Sequence, residues 1–182
     1  MTVLQIRALP DPILRQKAKH VSTIDRSIKK LIADMLETMH AAPGRVGLAA
    51  PQVGKSLRVV VIGIPDEDDP EVVADYILVN PEIVKTKGER ILNEGCLSVP
   101  GYVGEIKRAE VVTVKGKDQN GKQIRIKADG LLAEALEHEI DHINGMLYID
   151  HLESPDKLHK IEPHEVEEGE TGDGERTGKE NI

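Results

Sequence analysis

The chain has 182 residues, of which 39% are hydrophobic and 31% charged, which is enough to bury one core and ordinary for a soluble globular domain. It contains no apolar run of membrane-spanning length, and residues 1–7 lack a signal-peptide layout, so we expect a cytoplasmic protein with no membrane partner. The single cysteine, Cys96, excludes an intrachain disulfide.

The negative charge of the chain is concentrated at its C-terminal end. Residues 162–182 hold eight acids and two bases, so they carry −6 of the net charge of −8 and leave −2 for residues 1–161. They also contain few large aliphatic side chains, which predicts an acidic, disordered tail after one globular domain over residues 1–161. Neither charge total favours direct binding to nucleic acid.

Hydrophobic periodicity predicts helices where apolar residues recur at i, i+3, i+4 and i+7, and strands where they alternate or run together. In the first half of the chain, a short helix is predicted at 12–18 and an amphipathic helix at 25–40. Three strands are predicted at 58–64, 76–80 and 82–85. In the second half, a hairpin is predicted from strands at 110–115 and 123–127, and a helix at 130–144. A short strand is predicted at 147–149 and a last helical turn at 155–161. Strands followed by a late helix predict an α+β fold.

The helix predicted over 130–144 contains the motif His138-Glu139-Ile140-Asp141-His142. Residues four apart lie on one face of a helix, so the two imidazoles can share one metal ion. The glutamate, one step further round, can reach a water on that metal without binding the ion itself. This arrangement is typical of hydrolases.

A helical wheel places both histidines and Glu139 on the leucine-rich face, and it places Glu134, Glu137 and Asp141 on the face expected to meet solvent. Three ionisable groups on an apolar face need a shared partner, because an unpaired buried carboxylate is costly. A metal supplies that partner. The alternative is a pair of core histidines with a buried ion pair.

The helix motif supplies two metal ligands and leaves the third to another segment of the chain. Tyr148 stands where an extended His-Glu-x-x-His-x-x-Gly-x-x-His protease motif would have its last histidine, which counts against that class. Cys96, His151 and His159 remain, whereas Glu162 and Glu165 fall at or in the predicted tail. Two imidazoles and a thiolate suit zinc or iron(II). A metalloprotease and a non-enzymatic protein with a structural metal stay open on these residues alone.

Three segments together resemble the signature motifs of peptide deformylase, and the resemblance spans nearly all of residues 3 to 160. They are Arg45–Gln52 (RVGLAAPQ), Glu94–Ser98 (EGCLS) and the helical His138–His142 (HEIDH). The resemblance implies an α+β fold with mixed or antiparallel sheets around a central metal-binding helix. It also implies removal of the formyl group from the N-terminal formyl-methionine of nascent polypeptides, at or near the ribosome, with release of formate.

The resemblance further implies a role for each matching residue of a catalytic domain over residues 1–161. One divalent metal, usually Fe(II) with Zn(II), Ni(II) or Co(II) as substitutes, would be held by Cys96, His138 and His142. Catalysis would use Glu139 as base and acid, with the Gln52 side chain and the Leu97 N–H stabilising the oxyanion. Backbone contacts to the peptide would come from Val46, Gly47 and Gly95. Two departures, Arg45 for the first glycine and Glu137 for a frequent glutamine, concern the hold on substrate rather than the ligands.

Overall fold

The computed structural model describes residues 2–66, 68–69 and 71–161. The predicted acidic tail lies outside these residues, and its disorder stays a prediction. The described chain contains two α-helices, α1 (Arg26–His40) and α2 (Gly130–Ile143). Its eight strands are β1 (Gly47–Ala49), β2 (Val59–Pro65), β3 (Val73–Lys87), β4 (Arg90–Cys96), β5 (Val99–Arg108), β6 (Val111–Lys117), β7 (Gln123–Ala128) and β8 (Leu158–Lys160).

The strands form two antiparallel sheets, which confirms the α+β class. The larger sheet has the order β1-β2-β3-β6-β7, and the smaller has the order β4-β5-β8. In the larger sheet, the two strands predicted at 76–80 and 82–85 are one strand, β3, with a bulge between Val79 and Glu82. The irregularity centres on Asn80, which has a φ of 53° and exchanges two hydrogen bonds of 2.8 Å with the Val21 backbone.

The two α-helices contribute to separate cores that share strand β2. Helix α1 buries Ile32 and Met35 with the β2 residues Val59 and Val61. Helix α2 lies in the other core, with Val60 and Ile62 of the same strand. Because successive side chains of a strand point to opposite faces, the predicted continuous apolar run of β2 supplies both cores.

Helix α2 is the central element of the fold. After Leu131, every residue of this helix is buried or half-buried, so the face expected to meet solvent is largely covered. Asp141 forms an ion pair of 2.6 Å with Arg108, and Glu137 accepts a hydrogen bond from the Ala109 N–H. Strand β5 and the residue after it therefore cover the acids, which amphipathicity alone could not show. None of the helices in the described part of the chain is long and apolar enough to cross a membrane.

Several short elements differ from their predictions because long-range pairing decides them. The helix expected at 12–18 is a 3-10 helix over Pro12–Arg15, and the strand expected at 147–149 is a 3-10 helix over Tyr148–His151. The last predicted helical turn is a 3-10 helix over Pro155–Lys157, followed by β8. Strand β8 pairs with β5, more than fifty residues earlier, and local periodicity carries no signal for that pairing.

Candidate metal centre

The site is assembled from the end of strand β4 and the middle of helix α2. The Cys96 Sγ lies 3.2 Å from the His142 Nε2, which lies 3.1 Å from the His138 Nε2. All three donor atoms are within 4.8 Å of one another. A register shift between Gly95 and Cys96 marks a bulge at the end of β4, a feature that redirects a side chain. The Ser98 N–H, 3.4 Å away, also contacts the thiol sulfur.

Each histidine is placed by the helix, and a buried carboxylate fixes the orientation of one of them. Glu94, which is 4% exposed, accepts from the His138 Nδ1 and forms two hydrogen bonds with Arg108, at 2.8 and 2.9 Å. Burial alone would raise the pKa of Glu94, but the hydrogen bonds from His138 and Arg108 outweigh it and lower the pKa to about 2. Glu94 is therefore a carboxylate that keeps the His138 Nε2 turned towards Cys96.

The donor set fits a divalent transition-metal ion. Burial lowers the pKa of His142 well below its usual value, so its imidazole is neutral, as a metal ligand must be. Burial acts in the same direction on His138, but hydrogen bonds with Cys96 and Glu94 outweigh it and raise the pKa of His138 well above its usual value. A metal ion that binds His138 must therefore displace a proton from it. Two nitrogens and one sulfur are ligands typical of zinc or iron(II).

Glu139 directly follows His138 on α2 and is buried, with 3% of its surface exposed. Its Oε2 has no hydrogen-bond partner among the described residues, and burial raises its pKa to about 7. It borders Gly47 of β1 so closely that a Cβ added to that glycine would lie 2.9 Å from the Glu139 Cδ. A carboxyl group with a pKa near 7 can both take up and release a proton at neutral pH.

Gln52 is held with its amide NH₂ facing the site. Its Oε1 accepts from the Ala49 N–H at 2.9 Å, and its Nε2 lies 3.2 Å from the Ser98 Oγ and 3.6 Å from the Cys96 Sγ. The Oε1 bond fixes which end of the amide points inward. A donor fixed in this way can stabilise a developing oxyanion without reorganising.

A cavity of about 510 Å³ opens beside these groups. Its walls include Val46 and Gly47 on one side, Gly95 and Leu97 on another, and Leu131 of α2. Strands β1 and β4, which contribute lining residues, are each the terminal strand of their sheet. Edge strands can add an extended peptide by β-pairing, so the cavity suits a linear peptide.

The candidate ligands Glu162 and Glu165 lie outside the described residues, and the candidate histidines and Tyr148, which replaces the protease ligand, are engaged elsewhere. Tyr148 is 1% exposed and donates to the Tyr102 carbonyl at 3.1 Å. His151 bonds to Asp141 at 2.8 Å, and His159 pairs along the β5–β8 ladder. Among the described residues, the group of potential ligands is Cys96 with the two motif histidines.

Comparison with known proteins identifies the family. The model of the family described as polypeptide deformylase matches residues 3–158. The chain belongs to the polypeptide deformylase family. A curated peptide deformylase from Dehalococcoides mccartyi (strain CBDB1) is 57% identical over 163 residues, covering 90% of this chain and 94% of that protein. One from Halothermothrix orenii is 53% identical over 150 residues, covering 82% and 94%.

Solved deformylase structures share the fold. The crystal structure of a peptide deformylase from Legionella pneumophila matches with a TM-score of 0.78 and 51% identity, covering 86% of this chain and 89% of that chain. The structure from Synechococcus elongatus in complex with actinonin matches with a TM-score of 0.78 and 42% identity, covering 86% and 82%. Deformylases are metal-dependent hydrolases that remove the N-formyl group from nascent peptides, which confirms the predicted activity class.

The deformylase site includes residues to which sequence reasoning assigned no role. Glu94 contacts His138 and Ser98 contacts Gln52, whereas Arg108 acts one step further away by holding Glu94. Glu94 and Ser98 lie inside the segment Glu94–Ser98 that resembles a deformylase motif, so the sequence could have indicated a role for them. Arg108 carried no such signal, because its importance comes from facing Glu94 and Asp141 across two elements.

Proposed function

We propose that this chain removes the formyl group from the N-terminal formyl-methionine of newly made polypeptides and releases formate. The observation that carries the proposal is the meeting of Cys96, His138 and His142 beside the buried Glu139 carboxyl and the Gln52 amide. We place this activity in the cytoplasm, on nascent chains at the ribosome, because that is where such substrates are made.

Cys96, His138 and His142 would hold one divalent ion, with Fe(II) as the working metal and Zn(II), Ni(II) or Co(II) as substitutes. The ion, when bound, supplies Lewis acidity and acidifies the attacking water. A thiolate donor makes an iron form prone to oxidation, so we expect activity to decay in air.

The chain's own residues would do the rest of the chemistry. Glu139 takes the proton of the attacking water and then passes it to the leaving amine, a sequence favoured by its raised pKa. The Gln52 Nε2 and the Leu97 N–H stabilise the oxyanion of the tetrahedral intermediate, since both border the thiol end of the site. Val46, Gly47 and Gly95 hold the peptide backbone, and the catalytic domain spans residues 1–161.

A formate-release assay tests the proposal. Protein purified without oxygen and loaded with Fe(II) or Ni(II) should hydrolyse formyl-Met-Ala-Ser, whereas Glu139→Ala should bind metal without turnover. Cys96→Ala should lose the metal, as measured by elemental analysis. Absence of turnover above the Glu139→Ala control, or endopeptidase activity that survives Cys96→Ala, would refute the proposal.

A further inference from the structure

Arg45 is a cation placed at the outer end of the peptide cavity. Gly44 to Gly47 line one wall, which runs from solvent at the exposed Gly44 to the Glu139 carboxyl beside Gly47. Arg45 is half-buried in this wall, two residues outward from Gly47. Its Nη1 donates to the Thr38 carbonyl at 2.6 Å, which anchors the guanidinium on the last turns of α1.

The charge of Arg45 is not used by the described part of the protein. It is the only lysine or arginine among the described residues that line the cavity, and no described carboxylate forms an ion pair with it. The carboxylates that line the cavity either have another cation as partner or have a proposed role of their own. Glu94 pairs with Arg108, Glu134 lies 3.8 Å from Arg90, and Glu139 is the proposed base. One bond to Thr38 leaves the other guanidinium N–H groups available.

The position of Arg45 along the cavity wall determines which residue of a bound peptide it can reach. The formyl carbon must lie by Glu139 and the three metal-binding residues, and therefore near Gly47. Arg45 precedes β1 by two residues, and two residues of extended chain span at most about 6.6–7.2 Å, so the Arg45 backbone lies within that distance of Gly47. An extended peptide beside the β1 edge would bring its second or third residue to that level.

We propose that Arg45 is a specificity-determining residue that binds a carboxylate side chain on one of the two residues after methionine. The inference rests on the proposed function and deepens it, because it adds a preference for acidic residues near the start of the polypeptide. Guanidinium and carboxylate groups match in geometry, and the partial exposure of Arg45 makes the contribution modest and sensitive to salt.

Paired peptides test this preference. Formyl-Met-Ala-Asp should be compared with formyl-Met-Ala-Asn, and formyl-Met-Asp-Ala with formyl-Met-Asn-Ala, using the full chain loaded with Ni(II). At one of the two positions, kcat/KM should be about two- to five-fold higher for Asp, through a lower KM, and the ratio should shrink at high salt.

Substitutions separate the charge of Arg45 from its structural bond to Thr38. Arg45→Lys should retain part of the preference, and Arg45→Glu should reverse it, favouring formyl-Met-Ala-Lys over formyl-Met-Ala-Asp. Arg26→Gln, which removes an exposed arginine at the start of α1, should leave the preference unchanged. If formyl-Met-Ala-Ser is hydrolysed but Asp and Asn peptides are equivalent at both positions, this inference is overturned and the proposed function stands. If no formyl peptide is hydrolysed, the proposed function itself fails.

Discussion

Glu94 and Arg108 form a two-point ion pair in which each side chain is only 3% exposed. The same carboxylate holds the Nδ1 of His138. Removing one partner from a buried ion pair leaves an uncompensated charge, which costs about 3–5 kcal/mol. A residue that orients a metal ligand typically changes metal affinity by about 10–100-fold.

Glu94→Gln should therefore lower both the free energy of unfolding and the metal affinity. Chemical denaturation and competition with a metal chelator measure the two effects. Glu105→Gln is the matched control, because Glu105 pairs with Lys157 at a position where the carboxylate is 41% exposed. Equal behaviour of the two variants would show that Glu94 does not position His138.

Gln52→Glu should lower kcat by about 100- to 1,000-fold with unchanged metal content. The carboxylate keeps an acceptor for the Ala49 N–H but removes the NH₂ that faces the Cys96 sulfur, and one oxyanion donor is worth that factor in other hydrolases. Ser98→Ala, which removes only the hydroxyl near the Gln52 Nε2, should cause a smaller loss. Steady-state kinetics with elemental analysis decide the matter, and a kcat within twofold of wild type would exclude the assigned role.

Gly47→Ala should reduce kcat/KM by at least about tenfold while the protein stays folded. The new Cβ would meet the Glu139 carboxyl, and a small displacement of a catalytic group is costly. Gly63→Ala in the neighbouring strand β2 is the control, since its Cβ would also be crowded but would meet the Met39 Cε at 2.9 Å and no residue of the site. Circular dichroism verifies folding, and similar kinetics for the two variants would contradict the predicted contact.

Tyr148 should make the folded state lose stability at high pH. Burial, with the negative charges of Cys96 and Glu94, raises the pKa of Tyr148 to about 12 from its usual 10. Between these values the unfolded chain has lost the phenolic proton and the folded chain keeps it, so the free energy of unfolding falls as pH rises through this window. Tyr148→Phe should show a shallower decline in denaturation experiments across this range, and an identical slope would refute the argument.

Deletion of residues 162–182 should leave kcat/KM for formyl-Met-Ala-Ser within about twofold of the full chain. The family match ends at residue 158, and every site residue identified in the described part of the chain lies at or before residue 161. The expected acidic tail then contributes solubility rather than catalysis. A large loss of activity at unchanged metal content would instead place the tail in the function.

The elements that sequence predicted well are those that local chemistry specifies. Helix α1 begins after Asp25, whose carboxylate accepts from the Ser27 and Ile28 N–H groups, and an aspartate at this position is a local start signal for a helix. Helix α2 ends before Gly145, whose φ of +76° only glycine adopts easily. The hairpin of β6 and β7 was predicted from its turn residues and alternation.

The elements that sequence missed depend on distant partners. Strands β4 and β5 were not predicted, although β4 carries Glu94 and Cys96 and β5 ends in Arg108. Their pairing, and the addition of β8 to β5, joins segments whose own residues alternate weakly. Strand formation there depends on the neighbours that satisfy the backbone, which a local window does not contain.

By itself, the sequence determined which reactive side chains the site contains: one cysteine, two histidines a helical turn apart, and a glutamate beside the first. It also contains three motifs that resemble one family. These follow from residue identity and helix periodicity, which are local properties. Only the tertiary structure decided that the Cys96 sulfur lies 3.2 Å from the His142 Nε2 and that Arg108 covers Glu94 and Asp141. Such contacts join residues 14 to 46 positions apart, and the packing of two sheets around α2 sets those distances.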